Sequence, residues 1–182
     1  MARTTPPDSA VYAQVDTGGV RVPPNLAAFC HAGLSALRPG GPRAPFPAGS
    51  TVPTQTVYKE FGEAVGQPVR CVVRGQAEWA ALWAEMTRTQ PSPRPLPQVD
   101  FGERMLLVAG MGIRPSTGFS IGIDEVRRAG DELAATVVHY LPGDGCTGGM
   151  AETEPLDVVS VPRQDGPVRF IEKISYAPDC DE

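Results

Sequence analysis

Lysine and histidine are scarce in this sequence. Of its 16 cationic residues only Lys59 and Lys173 are lysines, and the others are all arginines. The formal net charge is −5, and the chain shows no basic patch of the kind that nucleic-acid binding requires. Two histidines, His31 and His139, and the lack of a Cys-x-x-Cys pair offer a zinc ion few ligands. We therefore expect no nucleic-acid partner, no metal site and no cofactor.

Long apolar runs are missing as well. No segment is long and apolar enough to span a lipid bilayer, so we predict no transmembrane segment. The first residues, MARTTPPDSAVYAQ, lack the apolar core of a signal peptide. The residues by themselves therefore predict a cytosolic protein, or an exported protein whose signal is not included in this sequence.

Proline and glycine are abundant, at 20 residues each, and they cluster in two segments. The first, PGGPRAPFPAGSTVP over residues 39–53, predicts a connector between an N-terminal extension (1–50) and a domain (51–182). In the extension, PPNLAAFCHAGLSALRPGG predicts a short helix, and VYAQVDTGGVRV predicts a hairpin. The second segment, QPSPRPLPQ, has proline at every second position and predicts an extended linker.

Regular patterns dominate residues 51–182. QAEWAALWAEMTR predicts a helix, because its apolar residues recur at helical spacing and form one stripe, namely Trp79, Leu82, Trp83 and Met86. RMLLVAGM is a continuous apolar run, typical of a strand buried on both faces. Further strands are predicted at TQTVYKEF, PVRCVVRG, FSIGIDEV, ELAATVVHYL, PLDVVSVP and PVRFIEKISYA. The predicted fold class is α+β: a mainly antiparallel sheet of five to seven strands packed with one Trp-bearing helix, plus the short N-terminal helix.

The glycine-rich segment GMGIRPSTGFSIGIDEV lies between two predicted strands. It lacks the Gly-Lys-Ser/Thr ending of a P-loop, and a strand follows where a helix would be needed. Pro115 and Gly118 suit a tight turn, so we predict a strand–loop–strand hairpin.

The four cysteines are Cys30, Cys71, Cys146 and Cys180, which allow three pairings. We expect any disulfide to include Cys146 or Cys180, which lie in a loop and a tail. Cys71 alternates inward on a strand and is predicted to be a buried apolar thiol.

Two alternative functions involve side chains outside the glycine-rich segment. Cys146 lies in GDGCTGGM, so one alternative is a cysteine hydrolase that uses Cys146 with His31 or His139. The other alternative is a small-ligand carrier with an apolar pocket beside the Trp-bearing helix.

The segment VDFGERMLLVAGMGIRPSTGFSIGIDEV resembles the C-terminal domain of the PrcB family, which is named after a subunit of a bacterial protease complex. Upstream, EWAALW resembles the family's Trp-containing helix. Downstream, LPGDGCTGGMAETEPLDVVSVP resembles its strand, Pro-Gly loop and returning strand, so the resemblance covers about residues 55–175. RPSTGF also resembles the Thr-Gly-aromatic loop of chagasin-like cysteine-protease inhibitors.

The PrcB resemblance implies an extracytoplasmic, often lipid-anchored bacterial protein that acts by contact with another protein. It favours a secreted or cell-envelope location and brings no catalytic residues, while the residues themselves leave a cytoplasmic location open. We therefore predict a non-catalytic protein-binding module that stabilises or modulates a partner, with a protease complex as the candidate.

Two loops are predicted to form the contact site. The partner-binding loop consists of Arg114, Pro115, Ser116, Thr117, Gly118 and Phe119. The second loop, expected beside it, consists of Gly143, Asp144, Gly145 and Cys146. No residue is predicted to be catalytic.

Overall fold

The computed structural model of this chain describes residues 11–12, 22–32, 48–60, 65–92, 94–146 and 148–180. Within these ranges the chain forms two five-stranded sheets and one α-helix. The α+β class is therefore confirmed in its broad form, although its details differ from the prediction.

The first sheet has the spatial order β1-β10-β8-β7-β3. Its strands are β1 (Val11–Tyr12), β3 (Ser50–Thr51), β7 (Ser120–Ala129), β8 (Glu132–Leu141) and β10 (Val168–Tyr176). β8 and β10 run parallel, and the other neighbouring pairs run antiparallel.

The second sheet has the spatial order β2-β5-β6-β9-β4, and all its described pairs are antiparallel. Its strands are β2 (Cys30–Ala32), β4 (Gln55–Glu60), β5 (Pro68–Val73), β6 (Arg104–Met111) and β9 (Leu156–Pro162). The helix α1 (Gln76–Met86) follows β5, and the Glu78 carboxylate accepts hydrogen bonds from the backbone amides of Arg74 and Gly75 at its start.

Strand β6 lies in the middle layer of the molecule. One set of alternate side chains, including Leu106 and Val108, packs in a core with the apolar stripe of α1. The other set, including Met105 and Leu107, packs in a second core against the first sheet. Because both faces of a central strand are covered, an unbroken apolar run is what this position requires. The layers are therefore first sheet, second sheet and helix.

The prediction of one sheet with five to seven strands is wrong, because the described residues form ten strands in two sheets. The additional strands β1, β2 and β3 are two or three residues long, so they are too short to show an alternating pattern. They extend sheet edges, and their pairing depends on tertiary contacts rather than on local sequence.

The predicted hairpin between β6 and β7 is also wrong, because these strands belong to different sheets. Gly112 has a φ of 71°, and a Cβ added there would lie 2.8 Å from Pro68 Cδ, so only glycine fits this turn. After it, Arg114 pairs with Thr153 in an isolated antiparallel bridge. The chain thus leaves the second sheet and crosses to the first.

The predicted N-terminal helix is replaced by turns over 24–29 and by β2 over Cys30–Ala32. The Val72 amide donates to the Phe29 carbonyl, and Leu26 is fully buried in the core beside α1. Tertiary pairing with β5 therefore prevails over the local helical spacing.

Parts of the predicted N-terminal extension lie outside the described residues. These are the remainder of the predicted helix, most of the connector and the turn of the predicted hairpin. The division at residue 50 stays a prediction.

The segment 94–99 is packed against α1 rather than free as a linker. The Trp79 indole donates to the Pro97 carbonyl at 2.9 Å, and the Trp83 indole donates to the Arg94 carbonyl at 3.1 Å. Leu96 packs against the same core. We call residues 94–99 the strap.

In the part of the chain described here, no helix combines the length and apolarity needed to cross a membrane.

Candidate functional site

The predicted partner-binding loop begins at a fixed point. The Arg114 amide donates to the Thr153 carbonyl at 2.7 Å, and the Thr153 amide returns a bond to the Arg114 carbonyl at 2.9 Å. The Thr153 hydroxyl also donates to the Ser116 carbonyl at 2.9 Å. Phe119, at the other end of the loop, is half-buried against the core between the sheets. The loop is therefore held at both ends.

The structure brings the residues just after the second predicted loop into contact with the first loop. The Thr117 amide donates to the Gly149 carbonyl at 3.1 Å, and the Gly149 amide donates to Thr117 Oγ1 at 2.9 Å. A Cβ added at Gly148 would lie 2.8 Å from the Gly118 nitrogen, so the two backbones approach as closely as glycine permits. We call residues 113–119, 142–146 and 148–150 the composite loop surface.

A disulfide between Cys146 and Cys180 fastens the second loop to the end of the chain. The Cys180 amide donates to the Asp144 carbonyl, and the Asp144 amide donates to Asp179 Oδ1, both at 2.9 Å. This disulfide fits the expectation that Cys146 or Cys180 would take part in a disulfide. The sulfur atom of Cys146 is bonded to that of Cys180, so Cys146 has no thiolate to act as a nucleophile. The cysteine-hydrolase alternative is therefore wrong.

The second disulfide joins Cys30 of β2 to Cys71 of β5. The prediction that every disulfide would include Cys146 or Cys180 is wrong, and Cys71 is not a free thiol. The inward direction of Cys71 was predicted correctly. Its partner Cys30, however, lies on the edge strand β2, where the sequence pattern predicted a helix.

An open groove of about 430 Å³ lies beside the composite loop surface. It is lined by Gly118, Pro142, Gly145, Cys146, Gly148, Ala177 and Cys180. These residues are mostly small.

Exposed apolar side chains gather at this end of the molecule. The large hydrophobic residues that the described chain exposes are Ile113 (51%), Met150 (99%) and Tyr176 (55%). Ile113 and Met150 belong to the composite loop surface, and Tyr176 is paired with Leu141 just before the second loop. Sequence reasoning selected the loops from their turn residues but missed these three side chains.

A buried charge cluster lies between the two sheets, near the base of the first loop. Arg70 on β5, His139 on β8 and Glu172 on β10 are 1%, 0% and 6% exposed. The Arg70 guanidinium donates to both Glu172 oxygens, at 2.7 and 2.8 Å. Its Nη1 donates to the carbonyls of Val69 and Gly110. A buried cation is thereby paired and fully hydrogen-bonded.

His139 completes this cluster, and burial disfavours its protonated form. Its Nε2 lies 2.7 Å from Glu172 Oε2 and 3.0 Å from Arg70 Nη2, and its Nδ1 is buried without a partner among the described residues. Burial lowers the pKa of His139, although the Glu172 carboxylate acts in the opposite direction. Burial would raise the pKa of Glu172, but the Arg70 charge and the hydrogen bonds from His139 and Arg70 prevail and hold it at about 2. The sequence predicted the strand that contains His139, but Arg70 and Glu172 gave no local signal.

Two further carboxylates interact elsewhere in the molecule, namely the buried Asp157 of β9 and the exposed Asp124 of β7. Asp157 Oδ2 accepts a bond from the Ile123 amide at 2.7 Å, and burial raises the pKa of this carboxyl. The Tyr140 hydroxyl donates to Asp124, and burial together with this bond raises the pKa of Tyr140 to about 12. In the described ranges, no group of three or more His, Cys, Asp or Glu side chains is arranged to hold a metal ion.

The region beside α1 is filled by side chains. Trp79 and Trp83 are buried, their rings pack 5.3 Å apart, and Tyr58 packs edge-on against Trp83 at 5.0 Å. Both tryptophans therefore act as core residues. The groove described above is not lined by residues of α1, so it does not support the alternative of a small-ligand carrier with a pocket beside this helix.

Fold and site together define an α+β module whose distinctive feature is a hydrogen-bonded, disulfide-fastened loop surface. Residues 105–162 match the family model described as PrcB C-terminal. The match covers less than half of the chain and is narrower than the expected 55–175, but it confirms the predicted resemblance. It spans β6 to β9 together with both loops of the composite loop surface. No curated protein and no solved structure matches the chain.

Proposed function

We propose that this protein is a non-catalytic protein-binding module and that the composite loop surface is its contact face. The observation that carries the proposal is the position of Ile113, Met150 and Tyr176, the large hydrophobic residues that the described chain exposes. Exposed apolar side chains that gather at one surface mark interaction sites in soluble proteins, whereas scattered ones do not. The partner-binding roles of Arg114 to Phe119 and of Gly143 to Cys146 follow from this proposal.

The structure of the loops supports binding by a preorganised surface. Backbone bonds between Thr117 and Gly149 and the Cys146–Cys180 disulfide limit loop motion before any partner arrives. A surface that is already ordered loses less conformational entropy on binding, so a modest contact area can give useful affinity.

The PrcB C-terminal match supports a protease complex as the partner, since that family takes its name from a subunit of such a complex. The two disulfides support a secreted or cell-envelope location, because disulfides persist mainly in oxidising compartments.

A retention assay with surface variants tests this proposal. The immobilised full chain is exposed to an extract of its source organism, and retained proteins are identified by mass spectrometry. Ile113→Ser with Met150→Ser is expected to abolish retention of the specific partner. The matched control replaces two exposed residues near the start of β8 with serine, namely Arg128 of β7 and Asp165 of the loop between β9 and β10, and is expected to retain the partner. Equal retention by both double variants would refute the proposed contact face.

A further inference from the structure

Arg114 differs from the other charged residues near the buried cluster. Its backbone is fixed by the two bonds with Thr153, and its side chain is half-buried at the base of the composite loop surface. Arg70 Nη2 lies 3.0 Å from His139 Nε2, and the charges of Arg70 and Arg114 both lower the pKa of this buried imidazole. Arg114 is thus placed where the charge cluster meets the loop surface.

The Arg114 cation has no carboxylate partner among the described residues. Glu172, the carboxylate of the cluster, already accepts two bonds from Arg70 and lies against His139. Burial and the like charge of Arg70 both lower the pKa of Arg114. A half-buried cation beside a second cation is an unfavourable arrangement unless an anion is supplied from outside.

The acidic residues next to its bridge partner do not supply that anion. Glu152 and Glu154 flank Thr153 in the chain, and neither forms an ion pair with Arg114 in the described structure. The Glu154 carboxylate instead accepts a bond from the Gly66 amide at 3.1 Å.

We propose that Arg114 recognises a carboxylate of the partner protein, an Asp or Glu side chain or a chain end that lies beside an apolar side chain. The proposal rests on the proposed function and adds the chemistry of the partner's contact segment. A guanidinium presents paired donors that match the two oxygens of a carboxylate. Ile113, the neighbouring residue, is 51% exposed and offers apolar contact on the same loop.

The surrounding charge favours a carboxylate over a phosphate. The chain has a formal net charge of −5, and the exposed carboxylates of Asp144 and Glu152 lie on or next to the two loops. Like charges repel a dianion more strongly than a monoanion, so a singly charged carboxylate joined to an apolar group fits this surface better.

The test uses a phage-displayed library of random dodecapeptides selected on the disulfide-intact full chain. Selected peptides are synthesised with their Asp and Glu residues intact or changed to Asn and Gln. Binding is measured by fluorescence polarisation to the wild type, to Arg114→Gln, to Ile113→Ser with Met150→Ser, and to the charge-matched control Arg88→Gln. Arg88 is exposed and lies in the turn just after the end of α1. Inorganic phosphate is added as a competitor.

The proposal predicts selected peptides rich in Asp or Glu next to apolar residues. Removing the peptide carboxylate is expected to weaken binding to the wild type at least 10-fold, and binding to Arg114→Gln hardly at all. Arg88→Gln is expected to leave the affinity within 2-fold. Some peptides could lose binding to Ile113→Ser with Met150→Ser but keep their affinity when their carboxylate or Arg114 is removed. This result would overturn the inference on Arg114 and leave the proposed function standing. If every selected peptide binds Ile113→Ser with Met150→Ser as tightly as the wild type, carboxylate recognition by Arg114 and the proposed contact face are both refuted. Phosphate that displaces the peptides at equal concentration would indicate a small-anion site and overturn carboxylate recognition.

A stability measurement separates binding from a structural role. Because Arg114 has no internal anion, Arg114→Gln is expected to leave the denaturant midpoint of unfolding unchanged or slightly raised. A clear fall in that midpoint would show that Arg114 serves the fold and would contradict the proposal.

Discussion

At the residue scale, the pair Arg70 and Glu172 joins the two sheets through charge rather than apolar contact. Arg70 comes from the second sheet and Glu172 from the first, so both bonds between them cross the core. Such a pair need not exceed an apolar pair in stability, but loss of one partner leaves a buried charge without compensation.

Glu172→Gln is therefore expected to be strongly destabilising. The Arg70 cation would remain buried without its counter-charge, at a cost of about 3–5 kcal/mol in the free energy of unfolding. Chemical denaturation measures this cost. The double variant Arg70→Met with Glu172→Leu is the control and should be less destabilised than the single variant. Equal losses would show that the charge is not the cause.

His139 predicts a pH dependence with a defined sign. Burial lowers its pKa in the folded state, so below the ordinary value of 6.5 the unfolded chain binds more protons than the folded chain. The free energy of unfolding should therefore fall as the pH drops from 7.5 to 5. Asp157 acts in the opposite sense, since burial raises the pKa of its carboxyl and its folded state gains relative stability on acidification.

Unfolding curves across this pH range test the role of His139. His139→Gln should flatten the dependence. Burial and the Arg70 charge also lower the pKa of His31 on β2, but His31 is the more exposed of the two histidines, so His31→Gln should change the dependence less. Below pH 4.5 a further loss is expected as Glu172, with a pKa of about 2, binds a proton in the unfolded chain first. A slope between pH 7.5 and 5 that is unchanged in His139→Gln would contradict this account.

At the scale of elements, the strap is stabilised by two indole hydrogen bonds. Replacing Trp79 by benzothienylalanine exchanges the indole N–H for sulfur and keeps the ring size. It removes the donor to the Pro97 carbonyl, and we expect a loss of about 1 kcal/mol in the free energy of unfolding. Hydrogen exchange should become faster at the Leu96 and Gln98 amides. Unchanged exchange there would mean that apolar packing alone holds the strap.

The sequence predicted elements wherever the pattern was long. α1 followed from a four-residue apolar stripe, and β6 followed from an unbroken run that is now seen buried on both faces. It did not predict which strands share a sheet. The crossing at Gly112 depends on contact with Pro68, and the strand character of Cys30–Ala32 depends on β5, so both are set by residues far away in the chain.

The candidate site was predictable only in part, for a related reason. Proline and glycine marked both loops because turn geometry is encoded locally. Their contact through Thr117 and Gly149, and the meeting of Arg70 with Glu172, join residues more than 30 positions apart. Local patterns contain no information on such pairs.

At the scale of the whole molecule, the two disulfides have different expected effects. Each closes a long loop, with sequence separations of 41 and 34, so loss of either should cost about 2–4 kcal/mol in the free energy of unfolding. Cys146→Ser with Cys180→Ser should also weaken partner retention, because the second loop loses its link to the tail. Cys30→Ser with Cys71→Ser should lower stability without that effect. Denaturation and retention assays on both double variants check this, and equal retention losses would contradict it.

Site-specific photo-crosslinking tests most directly whether the composite loop surface is the contact face. Benzoylphenylalanine is placed at position 150, where Met150 is 99% exposed, or at position 165, an exposed position in the loop between β9 and β10. The account predicts a discrete adduct with another protein from position 150 and none from position 165. It further predicts that the adduct from position 150 contains a protease or a protease-bound subunit. Equal labelling from both positions, or an adduct from position 165 alone, would contradict the account.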